Sequence, residues 1–104
     1  MIQIEWTSRA FSVLETLPQE FAFEIIRQVD YLPQLPQLGV NLSSRFPSLS
    51  GYRQLIIKRK YRVIYDYDEF ENRIYILAVQ NCRQQLPSTR DLKRKEGNPY
   101  GEEE

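Results

Sequence analysis

Three consecutive strand-like runs in the second half of the chain constrain its fold more than any other feature. They cover residues 51–57, 61–67 and 73–80, and all three are rich in β-branched and aromatic residues. In the first two runs an arginine, Arg53 or Arg62, directly follows a tyrosine. The pattern predicts fixed positive charge on a rigid sheet, as expected of a site that binds a polyanion or an acidic partner.

Length and composition indicate a single small domain. The chain has 104 residues and 41% apolar content, enough for one modest core. We expect the domain to span residues 1–95 and the acidic, Gly-containing end, residues 96–104, to form a loose tail. No apolar run approaches the length of a membrane span, and the start does not resemble a signal peptide, so a cytoplasmic location is expected.

The residue types that are missing exclude several classes of chemistry. The sequence contains no histidine and a single cysteine, Cys82. An internal disulfide is therefore impossible, and we expect no metal or other cofactor. Hydrolases and ribonucleases whose general base is an imidazole are excluded as well.

Charge is divided unevenly along a chain whose net charge is zero. Residues 1–50 carry three basic and five acidic side chains, residues 51–95 carry eleven and five, and residues 96–104 carry none and four. The sums are −2, +6 and −4. Because salt screens charges beyond about 8–10 Å, the basic segment can form a phosphate-binding face, although a solvated surface is the simpler interpretation.

The first half predicts a strand followed by two antiparallel helices. Residues 2–6 alternate between apolar and polar, which is typical of a half-buried strand. Thr7 and Ser8 offer a cap for a first helix, and Pro18 suits the start of a second. In the second helix a stripe of apolar side chains, widened by Ile26, predicts the core face.

The remaining segments complete an α+β prediction. Residues 33–39 contain two prolines and a glycine and should connect helix to sheet, and Arg45–Pro47 should begin the sheet or cross its edge. The three runs then form an antiparallel meander in one sheet with the first strand. The turn at residues 58–60 lacks Gly or Asn, which predicts a longer or bulged connection. The last strand, apolar on both faces, should lie centrally, and Ser88 should cap a short basic helix over residues 89–95.

This order of elements, with Tyr52-Arg53, the strand Tyr-Arg-Val-Ile-Tyr at 61–65 and Ile-Leu-Ala-Val at 76–79, resembles the RelE/ParE superfamily of bacterial toxins. The likeness covers residues 2 to about 87. Members of that family are encoded beside an antitoxin that masks their site. The resemblance therefore implies a cognate antitoxin as partner, and either the ribosome with its mRNA or DNA gyrase as target.

For the ribonuclease branch, the resemblance implies a catalytic role for three arginines, Arg53, Arg62 and Arg83. Guanidinium groups fixed on strands can stabilise the phosphorane that forms when a 2′-hydroxyl attacks the scissile phosphate. Lys58 and Lys60 are the candidate bases or substrate contacts. Base stacking requires aromatic side chains, and Tyr61 and Tyr65 are the candidates.

Several departures from the nuclease pattern leave alternatives open. Leu55 stands where such nucleases carry a second lysine, and no tyrosine follows Arg83 by about six residues. We therefore weigh a ribosome-dependent mRNA endoribonuclease against a gyrase inhibitor and against a non-toxic partner-binding module. Arg62 could also serve only the fold, by pairing with Asp66 or Glu5 across the sheet.

Overall fold

The computed structural model describes residues 1–94. Both helices and all strands are short enough for a small domain. Their bounds are β1 Gln3–Trp6, α1 Ser8–Leu14, α2 Gln19–Tyr31, β2 Val40–Asn41, β3 Arg53–Ile57, β4 Tyr61–Asp68 and β5 Arg73–Asn81. The predicted tail at 96–104 and the last residue of the predicted domain, Lys95, lie outside the described residues.

The five strands form one mixed sheet in the order β1-β5-β4-β3-β2. β1 pairs with β5 in parallel, and all other neighbours are antiparallel. The predicted α+β fold is thereby confirmed, with the first strand joined to a three-stranded meander. β5 has a neighbour on each side, as its apolar sequence predicted. β2 was not predicted, because two residues are too few to show a period.

The central strands are buried on both faces. On one face, which we call the helix face, Val63, Ile74 and Ile76 pack against Ile25 and Val29 of α2. The opposite face is covered by irregular segments, and we call it the loop face. Its core consists of Ile64, Leu77, Leu42, Leu49 and Leu92, with several half-buried neighbours. Because both faces are covered, a charged side chain on this sheet can be partly buried.

A bulge interrupts the pairing of β4 with β5. Ile64 lies opposite Ala78 and Tyr65 lies opposite Ile76, so that Leu77 has no partner of its own. Both Leu77 and Ala78 consequently belong to the loop-face core. The extra residue strengthens the local twist of the sheet near its centre.

The helices begin where the sequence predicted, but the buried face of α2 is narrower than predicted. The Thr7 hydroxyl accepts a hydrogen bond from the backbone N–H of Ala10, which caps α1. α2 starts directly after Pro18. Ile26, however, was predicted to widen the buried stripe and is 38% exposed. The sheet contacts a narrower strip of α2 than the spacing of its apolar residues suggested.

The β3–β4 hairpin turns with an unusual backbone. Three residues connect the strands, and the backbone N–H of Lys60 donates to the Ile57 carbonyl oxygen at 3.0 Å. Lys58 and Arg59 both have positive φ, 50° and 62°. Because a side chain in this region crowds the backbone, the two residues cost roughly 1–2 kcal/mol each. The pairing of β3 with β4 on either side of the turn offsets this cost.

Tyr65 anchors the connector between α2 and the sheet. Its buried hydroxyl donates to the Pro36 carbonyl oxygen at 2.7 Å and accepts from the Gly39 N–H at 2.8 Å. A Cβ at Gly39 would lie 2.7 Å from the Tyr65 ring and 2.8 Å from the Gln54 carbonyl oxygen. Gly39 is therefore required by close packing, and burial, which raises the pKa of the Tyr65 phenol, keeps its proton available as a donor.

The segment after β5 returns across the loop face. Ser88 caps a 3₁₀ turn at Thr89–Asp91, and Leu92 is buried against the sheet. Ser88 was predicted to begin a helix through residue 95, but the helical part ends at Asp91 among the described residues. Burial of Leu92, rather than the pattern of basic residues, determines how this segment lies.

Arg94 fastens the same segment to β4. Its guanidinium bonds both Asp66, at 3.3 Å, and Asp68, at 3.0 Å, and lies 4.3 Å from the centre of the Tyr75 ring. Burial raises the pKa of Asp66. Hydrogen bonds from the Glu71 backbone N–H and from Arg94 lower the pKa of Asp68. The two aspartates are thereby committed to a structural role.

Replacing Tyr65 by Phe should destabilise the fold by about 1–3 kcal/mol, because the Gly39 N–H and the Pro36 carbonyl lose their partner in a buried place. Chemical denaturation of the purified chain measures this directly. Tyr67→Phe is the matched control, since the Tyr67 hydroxyl makes no hydrogen bond within residues 1–94. An equal effect of the two substitutions would contradict the anchoring role.

Candidate functional site

A wide cleft lies on the loop face of the sheet. Its floor is formed by Gln54 of β3 and Arg62 of β4, and its two walls come from residues 40–49 and 85–88. The volume is about 700 Å³, within the range of roughly 300–1,000 Å³ that is usual for ligand sites. One of the three predicted catalytic arginines, Arg62, therefore reaches a cleft of suitable size.

Neutral groups hold the Arg62 side chain in position. Its guanidinium donates to the Cys82 carbonyl oxygen at 2.8 Å, to the Gln54 side-chain oxygen at 3.3 Å and to the Gln84 carbonyl oxygen at 3.5 Å. Arg62 Nε and the side-chain oxygen of Gln80, its neighbour on β5, are buried without a partner in the described chain. The side chain is thus oriented, while no carboxylate of residues 1–94 forms an ion pair with it.

The carboxylates that could have neutralised Arg62 are engaged elsewhere. Asp66 pairs with Arg94, and Glu5 pairs with Arg73 at 3.1 Å. Within residues 1–94 no ion pair involves Arg62. The alternative that Arg62 pairs with Asp66 or Glu5 across the sheet is therefore wrong. A partly buried cation without a counter-charge among the described residues favours binding of an anion.

The rest of the cleft adds to its affinity for anions. Arg45 lies on the wall, and serine, asparagine and glutamine side chains supply neutral hydrogen-bonding groups. Among the described residues that line the cleft there is no Asp, Glu, Lys, Tyr or Cys. The arrangement can stabilise negative charge on a ligand, but none of these side chains is suited to take up a proton at neutral pH.

Arg53 was predicted to share the site with Arg62, and the structure places it elsewhere. Arg53 lies opposite Tyr65, on the helix face of the sheet, whereas Arg62 lies opposite Ile56 and on the loop face. Its guanidinium donates to the Gly39 carbonyl oxygen at 2.7 Å. Successive side chains along a strand point to opposite faces of the sheet, so the register of β3 and β4 places the two arginines on different faces. Arg53 instead stabilises the connector between α2 and the sheet.

The two tyrosines predicted to bind substrate also face the helices. Tyr65 is 0% exposed, so its ring cannot stack on a nucleotide base, and this prediction is wrong. Tyr61 is half-buried, and its ring makes an edge-to-face contact with Phe21 at a centroid distance of 5.1 Å. Both rings belong to the packing of α2 against the sheet.

The predicted basic residues of the hairpin, with Arg83, lie at one end of the sheet. The amines of Lys58 and Lys60 lie 5.9 Å and 5.6 Å from the centre of the Phe21 ring. The exposed Arg83 lines a small hollow with Arg59 and Lys60, apart from the residues of the larger cleft. The three arginines therefore do not converge, and the proposed roles of Lys58, Lys60 and Arg83 remain predictions.

Comparison with solved structures reveals the same architecture in bacterial toxins. The RelBE2 toxin–antitoxin complex from Mycobacterium tuberculosis matches with a TM-score of 0.64 and 23% identity, over 77% of this chain and 96% of that chain. The chain has the RelE fold. For the RelBE complex and the isolated RelE toxin of E. coli, the TM-score is 0.66 at 9% and 12% identity.

The match covers 100% of the chain from the E. coli RelBE complex and 88% of isolated RelE. It covers 81% and 82% of this chain, respectively. The resemblance predicted from the sequence is thus confirmed at the level of the fold. No protein-family model and no curated protein matches the sequence significantly. Neither helix described in residues 1–94 could cross a membrane.

Two residues of the RelE-fold cleft were missed as site candidates. Arg45 and Phe46 were considered only as part of a strand or a sheet edge. They lie instead between two 3₁₀ turns, Leu42–Ser44 and Pro47–Leu49, on the cleft wall. A signal existed in the sequence: an arginine stands beside an aromatic residue, and RNA-binding proteins stack bases on both types of side chain.

Arg53→Met should lower the free energy of unfolding by about 1.5–3 kcal/mol, because a charged hydrogen bond to the connector is lost. Arg73→Met is the matched control. Arg73 pairs with Glu5 at the surface, where such a pair contributes about 0–1 kcal/mol. Denaturation curves of both variants test this role, and an Arg53→Met protein as stable as the Arg73→Met protein would contradict it.

Proposed function

We propose that the chain is the toxin of a type II toxin–antitoxin module and inhibits translation by binding RNA in the Arg62 cleft. The RelE fold supports the first part. The second part rests on one observation, the cation of Arg62 held by carbonyl groups in a cleft whose described lining residues include no carboxylate. A phosphodiester provides the missing negative charge and two oxygens that a guanidinium can bind together.

On this proposal the RNA is cleaved on the ribosome. The Arg62 guanidinium would stabilise charge on the scissile phosphate as the 2′-hydroxyl attacks, and its fixed orientation reduces the reorganisation needed at that moment. Because none of the described side chains that line the cleft is suited to take up the proton, the ribosome or the RNA itself would have to accept it. The composition of the cleft therefore supports the proposed dependence on the ribosome.

The same missing base favours a second candidate, a non-enzymatic toxin that inhibits DNA gyrase. Such an inhibitor needs no proton acceptor, and Arg62 would bind an acidic group of gyrase. Two assays separate the candidates: cleavage of mRNA on purified ribosomes, and supercoiling by purified gyrase. A third candidate, a partner-binding protein without toxicity, predicts that expression of the chain alone is harmless.

A cognate antitoxin is the partner we propose, and an acidic segment would complement the basic residues of the hairpin and the cleft. Co-expression with the adjacent gene should yield a complex that purifies as one species. If the chain purifies alone, and the adjacent product neither binds it nor relieves its toxicity, the module assignment is wrong. This test is independent of any catalytic residue.

Expression of the chain without a partner should arrest growth, and Arg62→Ala should relieve the arrest. Loss of one charge-stabilising group should lower the cleavage rate on ribosomes by about 10²–10³-fold. Arg73→Ala is the control, since it removes an arginine from the neighbouring strand outside the cleft. The readouts are colony counts after induction and primer extension on mRNA.

Circular dichroism must show that the Arg62→Ala protein is folded. Full toxicity of a folded Arg62→Ala variant would contradict the proposed site. Toxicity that disappears with Arg62→Ala, without cleavage of mRNA and with inhibited supercoiling, would instead establish the gyrase candidate.

A further inference from the structure

We propose that Phe46 is a stacking platform for an unpaired base, so that the Arg62 cleft selects single-stranded RNA. The inference rests on the proposed function and specifies its substrate: a nucleotide whose phosphate lies on Arg62 and whose base lies on the Phe46 ring. Phe46 carries the specificity for an unstacked base, whereas Arg62 binds the backbone that every RNA shares.

The position of Phe46 on the cleft wall is the first argument. It lines the same cleft as Arg62 and is 38% exposed. Phe11, Phe23 and Phe70 are more exposed still, so Phe46 is distinguished by its place in the cleft that contains Arg62. The two side chains complement the two parts of a nucleotide: the aromatic ring can stack on the flat base, and the guanidinium can bind the phosphate.

The backbone around Phe46 is fixed, which is the second argument. The Phe46 N–H donates to the Leu42 carbonyl oxygen at 2.9 Å, and the Phe46 carbonyl oxygen accepts from the Leu49 N–H at 2.7 Å. Leu42 and Leu49 are buried in the loop-face core, and Pro47 limits the backbone further. A ring on such a support loses little freedom when a base stacks on it.

Arg45 supplies the third argument. Its guanidinium carbon lies 5.8 Å from the centre of the Phe46 ring, within the roughly 6 Å of a cation–π contact. Arg45 is itself exposed, where such a contact is weak, so a base can displace the guanidinium from the ring. When a base occupies the ring, Arg45 can bind an adjacent phosphate, which adds a second charge contact to that of Arg62.

The charge and shape of the cleft favour single-stranded RNA over a duplex or an acidic peptide. In a duplex the base faces are already stacked on one another, so the Phe46 ring would find no free face. A peptide carboxylate could pair with Arg62, but its side chain would leave the aromatic surface unused. An unpaired nucleotide can engage both Arg62 and Phe46.

The test measures binding of two fluorescent oligonucleotides to the full chain by anisotropy at fixed salt. One is a single-stranded RNA of about eight nucleotides, and the other has the same backbone without bases. Phe46→Ala should weaken binding of the normal RNA by roughly 5- to 150-fold, the range for loss of one stacked base. It should change binding of the abasic strand less than twofold, and Phe46→Trp should retain tight binding of the normal RNA.

The matched control is Phe70→Ala, because Phe70 is 101% exposed and lies on the β4–β5 turn outside the cleft. It should leave both affinities unchanged. Equal losses for normal and abasic strands with Phe46→Ala, or no loss for either, would overturn the stacking role. Tighter binding of a glutamate-rich peptide than of either oligonucleotide, lost with Phe46→Ala, would also overturn it.

The same titrations keep this inference separate from the proposed function. If Arg62→Ala weakens binding of both strands and Phe46→Ala weakens neither, the RNA site stands and the stacking platform fails. If Arg62→Ala changes neither affinity, the RNA-binding function itself fails, and the stacking inference fails with it.

Discussion

The hydrogen bond between the Arg62 guanidinium and the Cys82 carbonyl oxygen links the centre of the sheet to the segment that forms one wall of the cleft. It orients a cation without neutralising it. Because Asp66 is already paired with Arg94, no nearby β4 carboxylate competes for that charge. The partly buried position of Arg62 in turn depends on a sheet that is covered on both faces, by helices on one and by irregular segments on the other.

The irregular segments therefore serve the fold and the site together. Leu42, Leu49 and Leu92 complete the loop-face core. The backbone from Leu42 to Leu49 forms the cleft wall that carries Arg45 and Phe46. A RelE-like sheet with helices on one face leaves its other face open to be shaped by such segments. Identity of 9–23% with the compared structures shows how far the sequence can diverge while the fold is kept.

The sequence predicted the elements better than it predicted the site. Period-two runs and the Thr7 cap were sufficient to predict the order of helices and strands, because hydrophobic periodicity and capping are local signals. Convergence of Arg53 and Arg62 was wrong because it depends on strand register, and a shift of one residue moves a side chain to the opposite face. The wall at 40–49 has no period at all; contacts of its leucines with Ile64 and Leu77, distant in sequence, determine its course.

The most direct test of this account is nitrogen-edited NMR of the arginine guanidinium groups while short single-stranded RNA is added. The account predicts that the Arg62 signal shifts and saturates with the RNA, while the Arg53 signal, held by the Gly39 carbonyl on the other face, stays in place. A shift of Arg53 with an unchanged Arg62, or no shift of either at saturating RNA, would contradict it.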